Sequence, residues 1–218
     1  RTNSAGTGGN GDININASGS VTGPTSLTLL ANRDINFGSG VTVSAGPANI
    51  SLIAGWNNTG WAVNPGTGLV SLGTNAALTT TTGNLYIYSG NGLTVQSGAT
   101  INVGGILDIG TLANPMYGNV LVNGNIQSSG SAQNIYAAGN VNVQATNLGF
   151  AGISYSGAGT QTIQGASILV AGENASGGSA HGAQISTSNA ASTQTVTATA
   201  GGINIMGGGY MGLGTNNS

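Results

Sequence analysis

A short phrase returns along this chain: a glycine or asparagine, three to five residues alternating apolar and polar, then a turn of small residues. Asp12-Ile13-Asn14-Ile15 comes back as Asp34-Ile35-Asn36-Phe37 after 22 residues. Ser26-Leu27-Thr28-Leu29-Leu30-Ala31 comes back as Asn49-Ile50-Ser51-Leu52-Ile53-Ala54, with Leu27 and Ile50 standing 23 apart. Self-similarity at such a period marks a stacked repeat, in which no unit buries its apolar face alone. A long structural surface is therefore expected before any reaction.

The apolar period within each phrase is 2, not 3.6, so the units are strands. Glycine, asparagine, serine and threonine, all poor helix formers, fill the rest. Strands are predicted at 12–16, 26–30, 34–37, 41–44, 49–54, 69–72, 84–88, 93–96, 100–103, 106–109, 119–122, 134–137 and 140–144. Most are bounded by Gly, Asn, Ser or Pro, the usual strand punctuation. Three such strands fit one step of about 22 residues. Asn-Gly pairs at 10–11, 91–92 and 123–124 are too few for a meander of hairpins. The expected fold is all-β: a right-handed single-stranded parallel β-helix, a solenoid of about 20–23 residues per coil. Ile, Leu and Val would point into a narrow core, and Asn at matching positions would form ladders between coils. About seven coils at ~4.8 Å each give a rod roughly 35 Å long.

Two segments break the rhythm. Residues 55–68 hold both tryptophans and are expected to leave the rod as a side loop; 114–118 form a smaller one. The coils of this class run over residues 1–148. From 149 to 218 a second repeat class on the same axis is expected, with Gln161-Thr162-Ile163 returning as Gln194-Thr195-Val196 after 33 residues. Ser167-Ile168-Leu169-Val170 likewise returns as Gly202-Ile203-Asn204-Ile205 after 35. The chain opens on Arg1 with no signal peptide, which reads as an excised piece of a longer protein.

Composition narrows the function. Only 3% of the residues are charged, there is no lysine, and the net charge is −2. Nucleic acids and anionic membranes both need clustered Lys and Arg, so neither is an expected partner. Apolar runs reach about five residues, far short of a membrane span. Disorder is set aside because β-branched residues are plentiful and regularly placed. Without cysteine there is no disulfide and no thiolate metal site.

With these residues laid out, the chain resembles the filamentous-haemagglutinin-like exoproteins, the two-partner secretion adhesins of Gram-negative bacteria. The phrases that carry it are Gly11-Asp12-Ile13-Asn14-Ile15, the run from Ser26 to Ile35, and the later Gln-Thr-Ile and Ile-Leu-Val-Ala-Gly blocks. It is a likeness of repeat style over essentially the whole chain. It implies a right-handed β-helix rod, export of the parent protein through a cognate outer-membrane pore, and a secreted or cell-surface place. The implied role is adhesion, aggregation or biofilm matrix building, with a host or matrix glycan or protein as ligand.

Parallel β-helices also include polysaccharide-cleaving enzymes, which need clustered carboxylates or a basic residue with a bound cation. Asp12 and Asp34 occupy equivalent repeat positions and would stack one coil apart, with Arg33 alongside. That arrangement reads either as a carboxylate pair, or half of a Ca²⁺ site, or as a turn-capping Asp repeated because the coil repeats. The turn-capping reading is preferred. His181, the single histidine, lies in a Gly/Ala/Ser loop with no acid near it in sequence, so no metal site and no cofactor are expected.

Trp56 and Trp61 are the ligand-binding candidates, because exposed rings stack on sugars or anchor a protein partner; alternatively one covers a flank of the rod. Tyr86 and Tyr88 share a strand face and extend that candidate, and Tyr136 could continue the ridge. Five Asn-x-Ser/Thr sequons occur, of which Asn57 and Asn174, both in loops, are the candidate glycosylation sites. Thr193, Thr195, Thr197 and Thr199 line one strand face, a single rank where an ice-binding surface needs many. The expectation is a non-enzymatic extracellular rod, both stalk and adhesive surface. The rivals are a protomer of a head-to-tail fibre, associating end to end, and a polysaccharide-cleaving enzyme.

Overall fold

In the computed structural model, the described residues are 11–21, 26–147, 149–173, 181–207 and 209–212. They hold 21 strands and no helix. Every ladder between these strands is parallel; each strand as far as Ala132–Tyr136 pairs with the one three places further on, and each later one with the strand two places on, because two long strands there each span two columns. The chain therefore lays down three strands and then repeats them one layer higher.

The strands fall into three columns. The first holds Ile13–Ile15, Ile35–Phe37, Val70–Leu72, Gly92–Val95, Asn119–Val122 and Val141–Gln144. The second holds Gly19–Val21, Thr42–Ala45, Ala77–Thr80, Thr100–Val103, Asn125–Ser128, Ala151–Tyr155, Ala183–Thr187 and Gly209–Gly212. The third holds Leu27–Ala31, Ile50–Ala54, Leu85–Ser89, Leu107–Ile109 and Ala132–Tyr136. Two long strands, Thr160–Ala171 and Thr193–Met206, run through the third column and on into the first. The first and third columns thereby join into one 13-stranded sheet that turns back on itself; the second column is a separate eight-stranded sheet. Eight layers at the usual ~4.8 Å spacing stand about 38 Å high with their outer surfaces.

Register follows the repeated phrase. Ile13 pairs with Ile35, and the same level continues through Val70, Leu93, Val120, Val141 and Ile168 to Ile203. From Ile35 to Ile168 these side chains are at most 1% exposed, forming a continuous aliphatic column. Each such side chain withdraws enough area for roughly 1.5–3 kcal/mol of stabilisation relative to solvent. On the outer face Asn36 donates its Nδ2 to Asn14 Oδ1 (3.0 Å), and Ser71 donates its hydroxyl to Asn36 Oδ1 (2.8 Å), a side-chain ladder between layers.

The step between layers is more variable than the expected 20–23 residues. Equivalent positions are 21 and 22 residues apart where the corners are tight, but 26, 28, 33 and 35 where a corner carries extra residues. An insertion at a corner leaves the ladders on either side untouched, so loop length is free while strand register is not. No helix among the described residues is long and apolar enough to cross a membrane.

Candidate ligand-binding notch

The glycines that close third-column strands decide where loops leave the stack. Three successive layers end that column at Ala54-Gly55, Ser89-Gly90 and Ile109-Gly110. The middle layer turns at once through Gly90 and Asn91 into Gly92–Val95. Its neighbours instead run out into loops over 55–68 and 110–118. Two long corners therefore flank a short one, and the missing material leaves a notch.

The first loop is built around a ring that faces inward. Trp56 is 4% exposed, its Nε1 donates to Gly60 O (2.9 Å), and it forms an antiparallel bridge with Val63. Asn64 N–H donates to Gly55 O (2.7 Å), and Gly66 N–H donates to Gly90 O (2.6 Å), tying the loop to the layer beyond. At the loop's neck Gly55 and Gly68 pass so closely that a Cβ on Gly68 would lie 1.9 Å from Gly55 N; both have φ near +75°. Only glycine serves there.

Trp61 stands on this support with half its surface exposed (50%). Its ring meets Tyr86 at 5.6 Å and 58°, and Tyr88 edge-on at 5.5 Å and 61°. Tyr86 and Tyr88 alternate outward between the buried Leu85 and Ile87. The opposite wall is the second loop. There Thr111 N–H donates to Asn114 O (2.9 Å), Asn114 N–H donates to Thr111 Oγ1 (3.0 Å), and Met116 is buried against the core. Tyr117 projects with 43% exposure. The resulting cleft of about 330 Å³ has Tyr88 and Ser89 as its floor, Trp61 with Ala62 and Val63 on one side, and Asn114 to Tyr117 on the other.

Its lining carries no formal charge. The nearest carboxylate on the same outward face is Asp108, one strand on from Tyr86 in register. Burial first, then Asp108 and Tyr86, push the Tyr88 hydroxyl above its usual range, so it stays a protonated donor.

Of the candidates read from sequence, Trp61, Tyr86 and Tyr88 come together. Trp56 does not join them: its ring is the small core of the loop and offers no face to a ligand. Asn57 is half-buried, and its Oδ1 accepts Thr59 N–H (2.9 Å) as an Asx turn. Asn174 lies outside the described residues. Tyr136 shares the outward face, but the level between it and Tyr88 is held by Gly110, so no aromatic ridge forms. Tyr117 and Asn114 were not singled out; the available signal was that both loops follow a strand-closing glycine in the same column.

The acids expected as a pair have structural partners. Asp34 N–H donates to Asp12 Oδ1 (3.2 Å), Leu69 N–H donates to Asp34 Oδ1 (2.8 Å), and Arg33 lies 3.7 Å from Asp12. Asparagine does the same elsewhere: Asn49 Oδ1 accepts Asn84 N–H and Asn84 Oδ1 accepts Ile106 N–H, each at 2.8 Å. These oxygens stitch one layer's corner to the next. His181 Nδ1 lies 3.8 Å from Glu173, a pairing that sequence distance hid. Among the described residues no three His, Asp or Glu side chains gather as a metal site would require.

Comparison with family models, with curated proteins and with solved structures finds no match to this chain. The functional reading accordingly stands on the geometry and on the style of its repeats.

Proposed function

We propose that this chain is a structural and adhesive segment of a large secreted surface protein, wound as a right-handed single-stranded parallel β-helix. The three-place parallel pairing supports that winding, because parallel crossovers are right-handed in nearly all proteins. Its repeat phrases support the likeness to two-partner secretion adhesins, and with it export through an outer-membrane pore to the surface of a Gram-negative cell. We read the segment as non-enzymatic: its stacked acids hold backbone N–H groups rather than facing one another across a substrate.

The observation that carries the adhesive role is the notch. A half-exposed tryptophan, held by a loop with its own small core and backed by two tyrosines, is costly to keep on a surface unless something covers it. The stack holds it rigidly at a lateral corner, where a host or matrix glycan or protein can reach. A binding array of glycans and matrix proteins, run with the wild type and Trp61→Ala, tests this. Selective binding lost in the variant supports the reading; binding unaffected by the variant overturns it.

A second reading, the head-to-tail protomer, draws on the exposed side chains of Ile203, Ile205 and Met206, each 45–48% accessible. Against it, a copy stacked in register would set Leu27 above Gln194, whose buried Oε1 has no donor among the described residues. Electron microscopy of the purified chain separates the two: regular fibres favour the protomer, single short rods the adhesive segment.

A further inference from the structure

The notch differs from a flat sugar platform in two ways that bear on its ligand. Rings that stack on a pyranose offer a broad open face. Here Trp61 meets both tyrosines at about 60°, so the rings make a corner with faces and edges at steep angles. Beside the polar Ser89, Thr111 and Asn114, the walls hold Ala62, Val63, Pro115 and Met116, apolar side chains against which methyl groups can pack.

The second difference is charge. Asp108 sits on the outward face beside Tyr86, and Asn134 Nδ2 donates to its Oδ1 (2.8 Å). An amide neutralises nothing. Among the described residues Arg33 lies against Asp12 and His181 against Glu173, so neither of these side chains compensates Asp108. With no lysine in the sequence, the chain has little of its own to supply. The electron-rich ring faces and this carboxylate give the corner a negative potential. A strongly hydrated metal ion or primary ammonium would give up water where it meets the rings and the apolar side chains.

We propose that the notch binds a quaternary ammonium group, its methyls against Trp61, Tyr88 and Tyr117 and its charge balanced by Asp108. This rests on the notch being the recognition site and names the chemistry recognised there. A cleft of about 330 Å³ exceeds one trimethylammonium head, leaving room for the carrier to which it is attached.

The test titrates the full chain with choline chloride, following tryptophan fluorescence and calorimetry, against sodium chloride and against 3,3-dimethylbutan-1-ol, the uncharged isostere. Choline is expected to saturate, with the alcohol binding about tenfold more weakly for want of the charge. Asp108→Asn, which keeps the bond partner's geometry nearly intact, is expected to weaken choline by about three- to tenfold and leave the alcohol unchanged. Trp61→Ala abolishes both. Equal binding of choline and the alcohol, no response to Asp108→Asn, or no saturable choline binding each overturns the proposal. Surface binding on the array that depends on Trp61 while choline fails to bind would retain the adhesive site and discard the ligand class. Choline binding with array binding indifferent to Trp61 would do the reverse.

Discussion

One column inside the core makes a sharp energetic prediction. At its first level the third column reads Leu27, Ile50, Leu85 and Leu107, then Gln133, Gln161 and Gln194. Gln133 and Gln161 are fully buried. Gln161 Nε2 donates to Gln133 Oε1 (2.6 Å) and to Ser186 O (3.3 Å), while Gln194 Nε2 donates to Gln161 Oε1 (2.5 Å). Gln133 Nε2 donates in turn to Ser154 O (3.0 Å). In Gln161→Leu, the Gln133 oxygen loses its donor and the Gln194 amide loses its acceptor. Each buried orphan costs about 1–3 kcal/mol, and Gln194, being partly exposed, lies at the low end. Against this, the leucine gains about 1–2 kcal/mol of apolar burial. A net loss of about 1–3 kcal/mol is expected. The triple variant Gln133→Leu, Gln161→Leu, Gln194→Leu removes the orphans together and extends the aliphatic column below it. Only the carbonyls of Ser154 and Ser186 lose side-chain donors, so the triple should lie within about 1.5 kcal/mol of the wild type and above the single variant. Urea unfolding followed by circular dichroism, with unchanged slopes, gives both numbers. A triple variant less stable than the single one would refute the ladder as a set of mutually dependent bonds.

Other outcomes follow from the corners and the notch. Gly90→Ala places a Cβ 1.9 Å from Asn64 O and 2.2 Å from Thr67 O, so the tryptophan loop must lift; Trp61 fluorescence should shift red while the far-ultraviolet spectrum of the stack is kept. Asp34→Asn should change stability by under about 0.5 kcal/mol, because asparagine already fills the same corner role at Asn49 and Asn84, whereas Asp34→Ala should cost about 1–2 kcal/mol in the same urea assay. Tyr88 has its proton held more tightly in the folded state, first by burial and then by Asp108. That contribution is complete below the ordinary tyrosine value of about 10 and is lost as pH rises through the folded value. Absorbance at alkaline pH should show a late phenol that disappears in Tyr88→Phe and moves down in Asp108→Asn.

What could be read from the residues and what could not divides by side-chain type. Levels marked by β-branched or leucine side chains, such as Ile13 over Ile35 and Leu27 over Ile50, were legible because only one register buries them all. So was the level of Gln161 and Gln194, from the Gln-Thr-Ile phrase returning as Gln-Thr-Val. Most of the second column was missed. Gly19–Val21, Ala77–Thr80, Asn125–Ser128, Ala151–Tyr155 and Ala183–Thr187 each carry only one or two large apolar side chains among Gly, Ala, Ser, Thr, Asn and Gln, too few to show alternation on their own, and the layers on either side fix them as strands. The Asn123-Gly124 pair, a hairpin signal elsewhere, here joins strands of two different sheets, each already paired in parallel within its own column. At the notch, Trp61 and Tyr88 could be proposed singly, but their meeting with Tyr117 depends on loops from alternate layers. Which tryptophan faces outward depended on the loop's internal hydrogen bonds, and no periodicity reports those.

The change from leucine to glutamine between Leu107 and Gln133 has a consequence for how such a chain finds its alignment. Near-identical layers are almost interchangeable, and a segment displaced by one whole turn would sacrifice little aliphatic burial. The amide column removes that degeneracy: displacement would drive a carboxamide against hydrocarbon, at several kcal/mol for each one left unsatisfied. Position along the axis is thereby encoded in the interior, and a misthreaded chain is penalised before its surface is complete.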